Sequence, residues 1–243
     1  MHGKHLRLRF LAAGAFTAAA AATLTAALSA PANIAPPDFQ SGQAAWVHPP
    51  GVIFPGVPGS PPPLVQDPAH PFAANNSGAQ PTYRMADVSN PNLKPWVKDA
   101  MKKDNDEILA GKIAFSARSS CLPGGVPVFM LFGGPPIYII QTPQKVLMIY
   151  EGDHQVRHIY LNVAHSKNPA PSWYGESVGH YEGDTLVVDT IGQNTKTVVD
   201  AYRTPHSEKL HVVERWHLIE GGKTLEANIR VEDPDTYNQH WET

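Results

Sequence analysis

Cysteine is almost absent: Cys121 is the only one in 243 residues. A lone thiol closes no internal disulfide, so the fold has to hold through its apolar core. It sits in Cys121-Leu122-Pro123-Gly124-Gly125 with no base beside it in sequence, which reads as a buried structural thiol. Catalytic signatures are missing too. There is no Walker loop, dinucleotide fingerprint, His-Glu-x-x-His or Gly-x-Ser-x-Gly. A basic excess is also lacking, with 19 Lys+Arg against 22 Asp+Glu and a net charge of −3. Nucleic acid or an anionic membrane would call for the opposite sign, so neither is expected as a partner. No long internal repeat is visible.

What is present begins at the N-terminus. Lys4, Arg7 and Arg9 form a positive start, and Phe10 to Leu28 runs without a charge. Ala30-Pro31-Ala32 has the small-x-small pattern of a cleavage site. Together these predict a secretory signal peptide over 1–32, and hence a periplasmic or secreted protein with no stable membrane insertion after cleavage. No cysteine lies at the cleavage site, and Arg7 and Arg9 are not adjacent, so neither a lipoprotein nor a twin-arginine signal is expected.

The rest is long enough for one domain with a proper core. Of the 24 prolines, 15 precede residue 96. Proline removes backbone donors, so 33–91 is expected to be an extended segment wrapping the domain. Trp46, Phe54 and Phe72 suit a stretch that lies against a folded body. The periodicity of Leu93, Trp96, Val97, Ala100, Ile108 and Leu109 predicts a helix over 92–110, with Ser89 and Asn90 as caps. Beyond residue 126 the period falls to two. Strands are expected at Val128–Phe132, Ile137–Gln141, Lys145–Tyr150, Gln155–Asn162, Val178–Tyr181, Thr185–Ile191, Leu210–Ile219 and Thr224–Glu232. Glu151-Gly152-Asp153, Glu182-Gly183-Asp184 and Glu220-Gly221-Gly222 supply hairpin turns. The expected fold is mainly β: an antiparallel meander of about eight strands closed as a lipocalin-like barrel, with one flanking helix over the 92–243 domain.

Candidate site residues are polar groups where a strand should be apolar, together with loop histidines. In Leu210–Ile219, alternation places Glu214 among Leu210, Val212, Trp216 and Leu218, facing inward, while His211, Arg215 and His217 face outward. A buried carboxylate has the character of a general acid or base, or else of a partner for an arginine such as Arg157. Arg157 shares a face with Ile159 and Leu161, and Asp189 sits among Val187 and Ile191. The catalytic candidates are therefore His206, Glu214, His180 and Asp189. The substrate-binding candidates are Arg157, Trp173, Tyr174, His165 and Trp216. No cofactor or metal is called for. A rival metal site would use His165, His180, His206 and Glu214, but His154 and His158, four apart on a strand, stand about 13 Å from each other. The expected partner is a small organic molecule, aromatic or carbonyl-bearing, handled by lyase, isomerase or hydrolase chemistry. A hydrophobic-ligand carrier is the alternative.

Several stretches carry a resemblance. They are Ile140-Gln141-Thr142-Pro143, Gln155 to Tyr160, Gly179-His180-Tyr181-Glu182-Gly183-Asp184-Thr185-Leu186-Val187-Val188-Asp189-Thr190, Pro205-His206-Ser207 and Leu210-His211-Val212-Val213-Glu214-Arg215. On these, residues 141–233 resemble a large family of functionally uncharacterised exported bacterial proteins. The resemblance implies export and brings no mechanism. The likeness to lipocalins is one of strand pattern, and a shared fold does not license a function.

Overall fold

The computed structural model describes residues 35–40, 45–48, 54–73, 84–112, 120–131, 136–152 and 154–243. The expected signal peptide, and Pro49-Pro50-Gly51 of the proline-rich lead, lie outside them.

Eight strands follow one another in the chain: β1 Ile137–Gln141, β2 Lys145–Tyr150, β3 Gln155–Leu161, β4 Glu176–Glu182, β5 Thr185–Ile191, β6 His211–Ile219, β7 Thr224–Glu232 and β8 Trp241–Glu242. Their order in the sheet is their order in sequence. Buried and outward residues alternate along them, as in Val156, Arg157, His158, Ile159, Tyr160 and Leu161. One face is therefore core and the other is outward.

The sheet curls into a half-barrel and does not close, so β1 and β8 remain its two ends. The proline-rich lead reaches both. Trp46 and Ile137 exchange backbone hydrogen bonds at the β1 edge, at 2.8 and 2.9 Å. Nearby, the Phe39 N–H donates to Gln141 Oε1, and the Gln40 amide donates to the Ile139 carbonyl. At the other end, the Glu242 N–H donates to Ser60 Oγ and Thr243 Oγ1 donates to the Pro55 carbonyl, each at 2.7 Å. Phe39, Phe54 and Leu64 are buried in the same core. The lead thus satisfies edge groups that barrel closure would otherwise satisfy.

Four local expectations are corrected. Cys121, expected to be buried, is exposed. Val128–Leu131 is a 3-10 helix, not a strand; all four side chains are buried, whereas a strand there would turn alternate ones outward. Phe132 lies outside the described residues. The eighth strand comes instead from Trp241–Glu242. The helix, α1, spans Pro95–Leu109 and starts on proline rather than on a side-chain cap. Its buried residues are Val97, Met101, Asn105 and Ile108, while Trp96 and Leu109 are exposed. Asn105 reads as polar, yet its amide holds both backbone groups of Ala86, accepting at 3.3 Å and donating at 2.9 Å.

The meander is also not wholly antiparallel. β3 and β4 pair in parallel, Ile159 opposite Ser177 and Leu161 opposite Gly179. The 162–175 connection turns the chain back so that β4 starts beside the middle of β3, and it carries His165, Ser166, Trp173 and Tyr174. Asn162, at φ 58°, turns the chain out of β3. Gly175, at φ 65°, turns it into β4, and a Cβ there would lie 2.3 Å from the Ile191 carbonyl. Gly183 has nearly the same φ, 64°, with nothing within 4 Å of a Cβ. Gly183→Ala should therefore cost only the left-handed penalty of about 1–2 kcal/mol. Gly175→Ala should cost clearly more, because the strand must also shift. Denaturant unfolding of the two variants measures the difference.

Candidate functional site

The inner face contains a closed polar cluster. Met148 pairs with Arg157, Ile159 with Ser177, Ser177 with Thr190 and Val188 with Glu214, so these side chains share the core face. The Arg157 guanidinium meets Glu214 through two parallel contacts, Nη1 to Oε1 at 3.0 Å and Nη2 to Oε2. Its Nε donates to Ser177 Oγ at 3.1 Å and Nη2 donates to Thr190 Oγ1 at 2.8 Å. The Phe129 ring lies over it at 5.5 Å. The side chains of Arg157 and Glu214 are 1% and 0% exposed. An ion pair so enclosed persists because every charged face has a partner. Glu214, expected as a general acid or base, has its carboxylate taken by Arg157 and closed to solvent. Arg157 is equally occupied.

Asp189 stands on the opposite face. The register sets Val188 against Glu214 and Asp189 against Val213, so the two carboxylates are separated by the sheet itself. On this outward face, Asp189 Oδ1 lies 2.9 Å from His165 Nε2 and 2.9 Å from His211 Nε2. His165 Nδ1 lies 3.0 Å from Glu176 Oε1. Ser166 donates its N–H and its hydroxyl to Glu176, both at 2.6 Å. The chain Glu176–His165–Asp189–His211 thus links the 162–175 connection to β4, β5 and β6. Ionised carboxylates only accept, so His165 satisfies both neighbours when both ring nitrogens carry a proton. His211 is held through Nε2 alone. No described group meets its Nδ1, which reaches solvent beside a side chain 36% exposed.

The electrostatics follow these contacts. Asp189 is held below the usual aspartate range, mainly by the His211 hydrogen bond and against its own partial burial. Glu176 is lowered chiefly by the Ser166 hydroxyl. His211 is raised, first by the hydrogen bond to Asp189, with burial opposing. A raised, half-exposed imidazole with one nitrogen fixed and one free is suited to moving protons near neutral pH.

The remaining candidates have partners of their own. His206 is buried; Nδ1 donates to the Ser207 carbonyl at 2.7 Å and Nε2 meets Thr197 Oγ1 at 2.7 Å. Burial lowers its pKa, disfavouring the charged form. His180 is exposed on Glu182 at 3.0 Å, and Arg215 binds that same Glu182 at 2.7 Å. Tyr174 packs edge-on against Phe129 at 5.9 Å, and Trp173 is partly buried against the core. Trp216 is in the core, with no hydrogen-bond partner for its Nε1 among the described residues. His206, His180 and Glu214 each have separate partners, and they do not form the pocket expected of them. The same holds for the four residues of the rival metal reading. Among the described residues, no three His, Cys, Asp or Glu side chains converge as a metal site requires.

Nor, among the described residues, is the concave side an open ligand chamber. Core side chains line it, and two small cavities beside Asp200, under Pro63 and Leu64, hold about 10 Å³ each, room for one water. A larger open hollow of about 330 Å³ lies on the charged face of α1, away from every candidate residue. Sequence reading found His165 and Asp189 but missed their partners. Glu176 is not singled out in sequence and His211 reads as outward-facing; the 162–175 connection brings His165 onto Glu176 and Asp189, and the antiparallel β5–β6 pairing brings His211 to Asp189. Comparison with known protein families, with curated proteins and with solved structures finds no match.

The two perturbed histidines should pull stability in opposite directions with pH. His211 is raised, so its contribution is complete below 6.5 and is lost as pH rises through its folded pKa. His206 is lowered, so its contribution is present above 6.5 and is lost as pH falls through its folded pKa. Urea unfolding from pH 5 to 9 should show His211→Gln losing stability mainly on the acid side. His206→Gln should remove part of the acid-side decline.

Proposed function

We propose that this is an exported acid/base enzyme whose reactive group is His211, held by Asp189 on the outward face of the sheet. The observation that supports the reading is the asymmetry of His211: Nε2 is fixed on Asp189 at 2.9 Å while Nδ1 is open to solvent. With the Nε2 proton donated to Asp189, a neutral ring offers the Nδ1 lone pair as a base. The protonated ring offers an Nδ1–H as an acid. Asp189 fixes the tautomer and stabilises the imidazolium. His165 and Glu176 hold Asp189 in place from the other side.

The substrate is a small carbonyl-bearing or aromatic compound that loses or gains a proton, as lyase, isomerase or hydrolase chemistry requires. Arg230 stands opposite Val213 on β7, next in line to Asp189, and its charge acts on His211. It is placed to oppose negative charge that develops on such a compound. No cofactor is invoked. Periplasmic or secreted location, carried by the N-terminal leader, is part of the same proposal, as is membership of the exported family that the sequence resembles. Among the described residues no helix is long and apolar enough to cross a membrane. The carrier reading is less favoured, because among the described residues the concave side holds no open chamber.

The test is proton exchange into a panel of small aromatic ketones in D₂O, followed by NMR, with ester hydrolysis as a second assay. The wild type should accelerate at least one compound. His211→Gln should lower that rate about 10²–10⁴-fold, the usual contribution of a positioned acid or base. Asp189→Asn should give a smaller loss with the fold retained. Full activity in His211→Gln would contradict the proposal.

A further inference from the structure

The outward face of the sheet divides into two halves of different chemistry. On β4 to β7 it carries Glu176, His180, Glu182, Asp189, His211, Arg215 and Arg230. On β1 to β3 the outward positions are Tyr138, Ile140, Lys145, Leu147, Ile149, Val156, His158 and Tyr160. The register aligns Tyr138 with Ile149 and Val156, and Ile140 with Leu147 and His158. Lys145 and Tyr160 complete a third row. Tyr138, Ile140, Val156 and Tyr160 keep 37%, 40%, 42% and 47% of their surface exposed. No carboxylate stands on these three strands, in a chain with 22 Asp+Glu.

We infer that this three-stranded face is the interface of a homodimer, with a second copy of the chain packed sheet to sheet across a two-fold axis. Size is the first argument. The exposed parts of these side chains amount to roughly 400 Å² per copy, as large as the largest apolar patch of an ordinary monomer. Two copies bury roughly 800 Å² of apolar surface, and a polar rim brings the total near the 1,200 Å² at which specific interfaces begin. Charge is the second argument. β2 begins at Lys145, and the exposed Glu151 follows its last residue, Tyr150. An isologous contact with the β2 strands antiparallel sets each Lys145 against the partner's Glu151, twice. The charged half of the face stays outside the contact, so the His211 side remains open.

The experiment is sedimentation equilibrium of the purified full chain from about 1 to 100 μM, in low salt. The expected result is a reversible dimer in the micromolar range. Ile140→Glu and Tyr160→Glu, both at outward positions, should weaken it at least 100-fold while circular dichroism and melting stay at wild-type values. Lys145→Glu and Glu151→Lys should each weaken it, and the double reversal should restore it. That pair keeps the test decisive if a glutamate on the apolar rows perturbs folding. Any of three results overturns the inference: a monomer at every concentration, a dimer indifferent to all four substitutions, or a monomer that binds vesicles of phosphatidylcholine and phosphatidylglycerol through this face.

Discussion

The constraint on which the rest depends is the ion pair between Arg157 and Glu214 in the core of the half-barrel. Two charges taken out of water lose several kcal/mol of hydration each. They are retained here because the guanidinium is satisfied on every side: by Glu214, by Ser177, by Thr190 and by the Phe129 ring. Those partners come from β3, β4, β5 and β6 and from the 3-10 helix at Val128–Leu131. One side chain therefore ties four strands and the plug above them, including the parallel β3–β4 pair, which the short hairpins elsewhere do not fix.

That closure decides where chemistry can happen. With Glu214 committed to Arg157, no carboxylate or imidazole on the inward face of the described strands is left unpaired. The register then turns Asp189 outward, one residue along from the position opposite Glu214, where it meets His165 and His211. The same crossover that brings Ser177 to Arg157 also brings His165 and Ser166 over Glu176. A structural inner cluster and an outward-facing hydrogen-bonded chain are thus two sides of one arrangement of strands.

Much of the strand pattern was legible in sequence, because alternation in Gln155–Leu161 or His211–Ile219 depends only on which residues are apolar. Glu214 could be placed inward on that basis, and Arg157 named as a partner. Whether the carboxylate was free or paired depended on the pairing of β3 with β4, to which local periodicity is blind. The 162–175 connection reads in sequence as a loop between hairpins that carries candidate residues. Its return in parallel is what makes Glu176 and His165 neighbours, and no spacing rule reports that. Val128–Leu131 was misread because four buried apolar residues in a row fit either a strand or a helical turn. Barrel closure was expected to remove sheet edges. The lead at Trp46 and at Ser60 serves the same edges by other means, through contacts about a hundred or more residues distant in sequence.

The most direct measurement is the coupling free energy between Arg157 and Glu214, from denaturant unfolding of Arg157→Leu, Glu214→Leu and the double variant. A sealed structural pair predicts that each single change costs about 3–5 kcal/mol, because it leaves a buried charge unpartnered. The double change should recover most of that loss, since two apolar side chains fill the same space. Additive losses, or a Glu214→Leu variant as stable as the wild type, would contradict the account. Either result would return Glu214 to the list of groups free to act on a substrate.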